Sequence, residues 1–286
     1  MTIIEFMLAP FLACLLLILI NVYFGIHVLK REIIFIDIAL AQIAAFGTAV
    51  AAVIHHIFHE GHAHEHEHSE DSMLAYLLAL AFITFSALVF SFLKNRKLSI
   101  PLEAIIGISY AFATTAAVII LDKGAGGDVH IHDMLVGSIL WVSWSQVLKL
   151  FVIIALVGLF HFFFRKNFTK LSDNYQNKEC KMKNSFLWDF LFYLTFGVVI
   201  VEAVNISGIL TVFAFLILPA SFSALFSTSW KHRIIIGFVL GAIVSAFGLY
   251  FSWNIDVPVA PLIILGLGAF LLLGAVFKRV TRLKKE

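Results

Sequence analysis

The sequence predicts an all-α, polytopic membrane protein, and three observations carry that reading. Hydrophobic residues make up 61% of the 286-residue chain against 13% charged, with a mean hydropathy of +0.99, a balance that does not suit a water-soluble fold. Apolar runs of about 20 residues, the length that spans the hydrocarbon of a bilayer, recur along the chain. Lys and Arg gather in every second connection between those runs, at Lys30/Arg31, Lys94/Arg96/Lys97, Arg165–Lys183, Lys231/Arg233 and Lys278–Lys285. That alternation predicts an N-terminus outside and a C-terminus inside.

Taken in order, the runs place membrane helices at roughly 8–29, 33–57, 73–93, 101–121, 144–164, 186–204, 206–226, 233–252 and 258–277. They make about nine spans, within a range of roughly eight to ten, and a single membrane domain over 1–286. The opening MTIIEF lacks the basic start of a cleaved signal peptide, so the first run is expected to remain as a helix. A formal charge of +2 gives no argument for nucleic acid. Cys14 lies in the first apolar run and Cys180 in a polar loop, an arrangement that offers no disulfide.

Three polar stretches stand out against this background. The second run begins REIIFIDIALAQIAAFG, so Asp37 and Gln42 enter an apolar helix. A carboxylate there is costly unless it faces a cavity or a partner, which makes Asp37 a candidate ligand, with pairing to Lys30 or Arg31 as the alternative. The outer connection 55–71, HHIFHEGHAHEHEHSED, interleaves His55, His56, His59, His62, His64, His66 and His68 with acidic residues. Neutral imidazole is the commonest zinc ligand, and such a chain can assemble several donors, so the stretch is assigned capture of metal near the entrance; the alternative is a solvated loop. A second outer loop, DKGAGGDVHIHD, adds His130 and His132 as candidate ligands. The inner connection 165–185 is polar and basic, and reads as a solvated connector.

Ser207–Arg233 changes character three times: an apolar run, then Pro219, then the small residues Ala220, Ser221, Ser223 and Ala224, then Lys231, His232 and Arg233. Proline removes a backbone donor and clashes with the preceding turn, so a helix end or kink is expected there. Beyond it, Gly237, Gly241, Ser245 and Gly248 form a small-residue stripe suited to close helix packing. Glu103 reads as an interfacial carboxylate or a lining group, and Glu202 with Asn205 as a pair lining an outer gate or an exposed interfacial pair. No G-x-x-x-x-G-K-[ST] occurs, nor an evident catalytic constellation, so the chain is not read as an enzyme and any ATP use is expected on another subunit.

The L-P-A element with its small residues and basic end resembles the permease subunits of ABC importers for zinc, manganese or iron. So do the basic pair and A-L-A-Q run before Gly47, the G-S-I-L at 137–140 and the D-V-P at 256–258. In that family's pattern a histidine stands where this chain has Gln42, with an aspartate at the position of Ile38. The resemblance implies a type II ABC-importer-like permease in the cytoplasmic membrane of a prokaryote, paired as a homodimer around the pathway and embedded in lipid. It implies that Ser221–Arg233, entered through Pro219 and Ala220, is a coupling helix seated on a cytoplasmic ATPase subunit, that ATP is used by that subunit, and that an extracytoplasmic metal-binding protein delivers the cargo. The cargo is read as a divalent metal, zinc before manganese or iron. The competing reading is an ATP-independent secondary metal carrier, which needs several ion ligands inside the bilayer.

Overall fold

The computed structural model describes residues 3–59, 68–94, 100–122, 137, 139–175 and 184–283. Among them the backbone is helical almost throughout, as it must be where lipid offers no partner for peptide groups. The helices are α1 (Ile3–Arg31), α2 (Ile36–His59), α3 (His68–Lys94), α4 (Leu102–Asp122), α5 (Trp144–Phe163), α6 (Arg165–Asp173), α7 (Ser185–Phe226), α8 (Trp230–Ile255) and α9 (Val259–Leu283). A short 3₁₀ turn, Ile139–Trp141, precedes α5. Eight of the described helices are long and apolar enough to cross a membrane.

Local chemistry explains several boundaries. Glu32 adopts a positive φ of 55° and ends α1. Ser143 opens α5 with a capping box: its Oγ accepts from the Gln146 N–H at 3.3 Å, and Gln146 Oε1 accepts from the Ser143 N–H at 2.8 Å. Asp256, left-handed at φ 56°, closes α8.

The spans expected at 186–204 and 206–226 are one continuous run of 42 residues in α7. Straight, it would reach about 63 Å, twice the hydrocarbon thickness. Gly208, at φ 74° and ψ 160°, breaks it into two stretches, each about one crossing long. The glycine is required: a left-handed, extended backbone is strained for any residue with a Cβ. Gly137, itself at φ 68°, lies against this break, where a Cβ would come within 2.2 Å of Gly208 N.

The chain divides into two compact units. One comprises 33–131 and 176–201, so it holds α2, α3, α4 and the first part of α7. There α2 packs on α3 and α4, with Ala44, Ala79, Ile83 and Val201 forming a core flanked by Tyr76 and Leu194. Lys94 Nζ donates to Asp189 Oδ2 at 2.5 Å, and Ser91 Oγ donates to Phe186 O at 2.7 Å, tying the end of α3 to the start of α7.

The other unit comprises 1–32, 132–175 and 202–286. In it α1 packs on α8, α5 and α6, and α8 packs on α9. The small-residue stripe of α8 finds its partners within the chain: a Cβ at Gly237 or Gly241 would meet Val22 or Ile18 of α1, and one at Gly248 would meet Ile263 of α9. The buried side of α5, Val147, Leu150, Ile154, Val157 and His161, keeps the three- and four-residue spacing of one helix face.

Candidate functional site

Asp37 sits in the first turn of α2, where a carboxylate is favoured by the positive end of the helix dipole. It is 2% exposed and Gln42 is 3% exposed. Asp37 Oδ1 and Gln42 Oε1 have no hydrogen-bond partner. Both are oxygen donors, suited to hard divalent cations. Five residues apart, they lie about 140° from each other around the helix, so α2 does not present them on one face. Lys30 pairs with Asp173, and Arg31 Nε donates to Ser172 Oγ at 2.8 Å.

The histidine expectations fall outside what the structure describes. His62, His64, His66, His130 and His132 lie outside the described residues, as do the side chains of His55, His56 and His59 on α2 and of His68 at the start of α3.

The expected coupling helix takes a different form. Pro219 neither ends nor opens a helix: α7 runs through it to Phe226, and the only non-helical residue inside α7 is Gly208. A transmembrane helix tolerates proline where neighbours accommodate the freed carbonyl. Ser221–Arg233 is therefore the last turns of α7, a short turn and the first turn of α8. Ala220 and Ser223 are fully buried, Arg233 is buried at 6% exposed, and Pro219 is buried too. Ser221 is half-buried, while Ala224 and Lys231 are exposed. The buried members hold the corner together: Arg233 Nη2 donates to Ala220 O at 3.4 Å, and Ser223 Oγ donates to the same carbonyl at 2.7 Å.

Residues 165–173 of the connector expected to be solvated instead form α6, which packs on α1 and buries Phe168, Leu171 and Ser172. Ser172 Oγ accepts from Arg31 Nε, which leaves its own hydroxyl proton for His27 Nδ1, 2.7 Å away. Asp173 takes Lys30 on one side and accepts from Trp230 Nε1 at 3.3 Å on the other. Lys30 Nζ also lies 4.5 Å over the Trp230 ring, and the His27 and Trp230 rings are 4.6 Å apart. Tyr23 Oη meets His161 Nδ1 at 2.9 Å, and the His161 ring stacks on Phe168 at 4.0 Å. Two signals for this network are present in the sequence. Tyr23, His27, Lys30 and Arg31 line up along one side of an apolar helix, and Phe168 and Leu171 recur at helical spacing within a charged stretch.

Among the described residues, eight helices of crossing length, one of them broken, and a buried carboxylate with one oxygen unmatched define a polytopic membrane protein. The chain belongs to the ABC 3 transport family, whose pattern it matches over residues 3–278. It is 25% identical over 182 residues to a probable metal transport system membrane protein of Chlamydia trachomatis, covering 62% of this chain and 60% of that one. It is 29% identical over 163 residues to the manganese transport system membrane protein MntC of Listeria monocytogenes, covering 56% of each. These alignments thus span less than two thirds of the relatives' length. Its fold is similar to a chain of PsaBC from Streptococcus pneumoniae in complex with Fab, with a TM-score of 0.72 at 19% identity, over 94% of this chain and 90% of that one.

Proposed function

We propose that this chain is the membrane-spanning subunit of an ABC importer for a divalent first-row transition metal. The observation that carries the reading is Asp37, a carboxylate buried in an apolar helix with one oxygen unmatched. Manganese or iron fits better than zinc. The described candidate donors, Asp37 and Gln42, are oxygens, which suit the harder cations, and the Listeria relative is named for manganese. The weight first given to zinc rested on histidines whose side chains lie outside the described residues.

In this reading ATP is used by a separate cytoplasmic subunit that docks where α7 turns into α8. Ala224, Lys231 and the other exposed groups of that corner face it, while Ser223 and Arg233 stiffen the corner from within. The chain works as a homodimer in the inner membrane of a prokaryote, N-terminus outside. An extracytoplasmic binding protein delivers the metal, and the outer histidines concentrate it. Nucleotide-driven closure of the ATPase pair biases the permeases between outward and inward states. Membership of an ABC family favours this reading over the ATP-independent carrier.

The test is gentle purification from native membranes, followed by reconstitution. An ATPase subunit recovered in equal amount, with manganese uptake that stops when ATP is withheld, supports the reading. Manganese movement in liposomes holding this chain alone, without ATP, overturns it.

A further inference from the structure

The short helix α6 turns unlike faces inward and outward. Phe168, Leu171 and Ser172 fall within an arc of about 100° around its axis and form the buried side. Arg165, Lys166 and Lys170 fall within about 140° on the remaining side, and all three are exposed. Asp173 shares that side but is taken by Lys30 of α1. Among the described residues Arg165, Lys166 and Lys170 make no ion pair, so their charges stand unbalanced on one helix face.

The residues just before this face are as apolar as it is charged. Phe162, Phe163 and Phe164, where α5 runs into α6, are 60%, 76% and 42% exposed. Because α5 is long enough to cross the membrane, its last turn reaches the edge of the hydrocarbon, and the cations begin at the next residue. The two chemistries are joined: the Arg165 guanidinium lies 5.2 Å over the Phe162 ring.

An occupant of this surface has to be apolar against the phenyl rings and anionic one residue further on. A soluble protein can answer the charges but does not reach rings at the depth of the acyl chains. A zwitterionic lipid covers the rings and leaves the positive charge uncompensated. An anionic phospholipid does both. The end of α9 carries three exposed cations as well, Lys278, Arg279 and Arg282, but there Ala275–Thr281 are exposed on every side of the helix. Docking on α1 holds the cations of α6 in one arrangement, and a surface fixed in advance binds more tightly than one that must be ordered.

We propose that the outward face of α6, with Phe162–Phe164, is a binding surface for an anionic phospholipid of the adjoining leaflet. The phosphate lies among Arg165, Lys166 and Lys170, and the acyl chains lie along the three rings. The surface goes beyond the transport reading and does not depend on the cargo.

The experiment uses the purified full chain, with native mass spectrometry reading the affinity of added phosphatidylglycerol and phosphatidylcholine. Phosphatidylglycerol is expected to bind about tenfold more tightly than phosphatidylcholine, and millimolar inorganic phosphate should not displace it. R165Q/K166Q/K170Q is expected to lose about tenfold in phosphatidylglycerol affinity while phosphatidylcholine binding holds. K278Q/R279Q/R282Q removes the same charge from α9 and should lose about threefold or less. Phe163→Ala, which keeps every cation, should weaken both lipids by about twofold to threefold. Equal losses in the two triple variants overturn the proposal, because net charge alone then attracts the lipid. Unchanged phosphatidylglycerol affinity in the α6 triple variant overturns it too, and lower recovery of an ATPase subunit with that variant would give the face to a protein instead. Displacement by inorganic phosphate leaves a site for the free anion and also overturns it. If the α6 triple variant fails to accumulate, Arg165→Gln and Lys170→Gln decide, each with an expected loss of about twofold to threefold.

Discussion

The inner end of α1 and the start of α2 differ in how their buried polar side chains are tied to other helices. Along α1, Tyr23 meets His161, His27 and Arg31 share Ser172, and Lys30 takes Asp173. At the start of α2, Asp37 and Gln42 are as deeply buried, yet each keeps an oxygen with no hydrogen bond. An unmatched buried polar atom costs about 1–3 kcal/mol. Neither region is fully matched, since His27 Nε2 and Arg31 Nη2 also make no hydrogen bond; what sets α1 apart is that its side chains reach another helix, His27 and Arg31 both meeting Ser172 of α6. The first region is therefore read as structure, and the second as a place kept ready for a cation.

The largest expected effect comes from Asp37→Asn. Manganese uptake should fall by about tenfold or more, because a neutral amide removes the charge that favours the cation. The thermal midpoint of the purified chain should hold or rise, since the amide is cheaper to bury than an unpaired carboxylate. Wild-type uptake would move Asp37 to the matched class and erase the contrast.

Gly137→Ala comes next, and it tests whether backbone packing at the α7 break is as demanding as the polar matching elsewhere. The new Cβ would sit 2.2 Å from Gly208 N on a residue already at φ 68°. Backbone strain alone is worth roughly 1–3 kcal/mol, and the overlap adds to it, so the amount of folded protein in membranes should drop several-fold. Near-normal accumulation would show that the loop can move away from the break.

Ser172→Ala sharpens the matched side. It leaves two buried groups, His27 Nδ1 and Arg31 Nε, without the hydroxyl they share, at a cost of about 1–3 kcal/mol. Stability in detergent should fall, while uptake per folded molecule stays near wild type. A loss of uptake without a loss of stability would assign this network a part in transport.

Much of this contrast was legible in advance, and the part that was not has a physical cause. Apolar run length reports spans directly, since lipid requires about 20 helical residues per crossing, and Asp37 stood out because charge is rare there. The break in α7 was expected three residues early, at 205, and at Pro219 as well, because proline signals a lost donor but not whether neighbours accommodate it. Gly208 gave no such warning: its role depends on a left-handed backbone that only tertiary packing selects. The helix α6 was missed because RKNFTKLSD is too short and too charged to fold alone. It is held by packing on α1, where Ser172 meets His27 and Arg31, contacts that lie far apart in the chain. Which of Ser223, Ala224, Lys231 and Arg233 face inward was equally hidden, because a helix-to-helix corner turns alternate residues in and out.

The smallest expected effect is that of Asp173→Asn, and it sets a scale for the others. Asp173 joins Lys30 to Trp230, but its side chain is 43% exposed and that of Lys30 is 27% exposed, so water already screens the pair. Removing the charge also leaves Lys30 over the Trp230 ring, an attraction that needs no carboxylate. The cost should be less than about 1 kcal/mol and should shrink as salt is raised. Ser172 lies one residue away on the same helix and carries no charge, yet its loss should cost more, because burial rather than formal charge decides what an unmatched group is worth. If Asp173→Asn destabilises the chain as much as Ser172→Ala, then the exposed ion pair is what holds α6 against α1, and the division between matched and unmatched groups must be redrawn around charge.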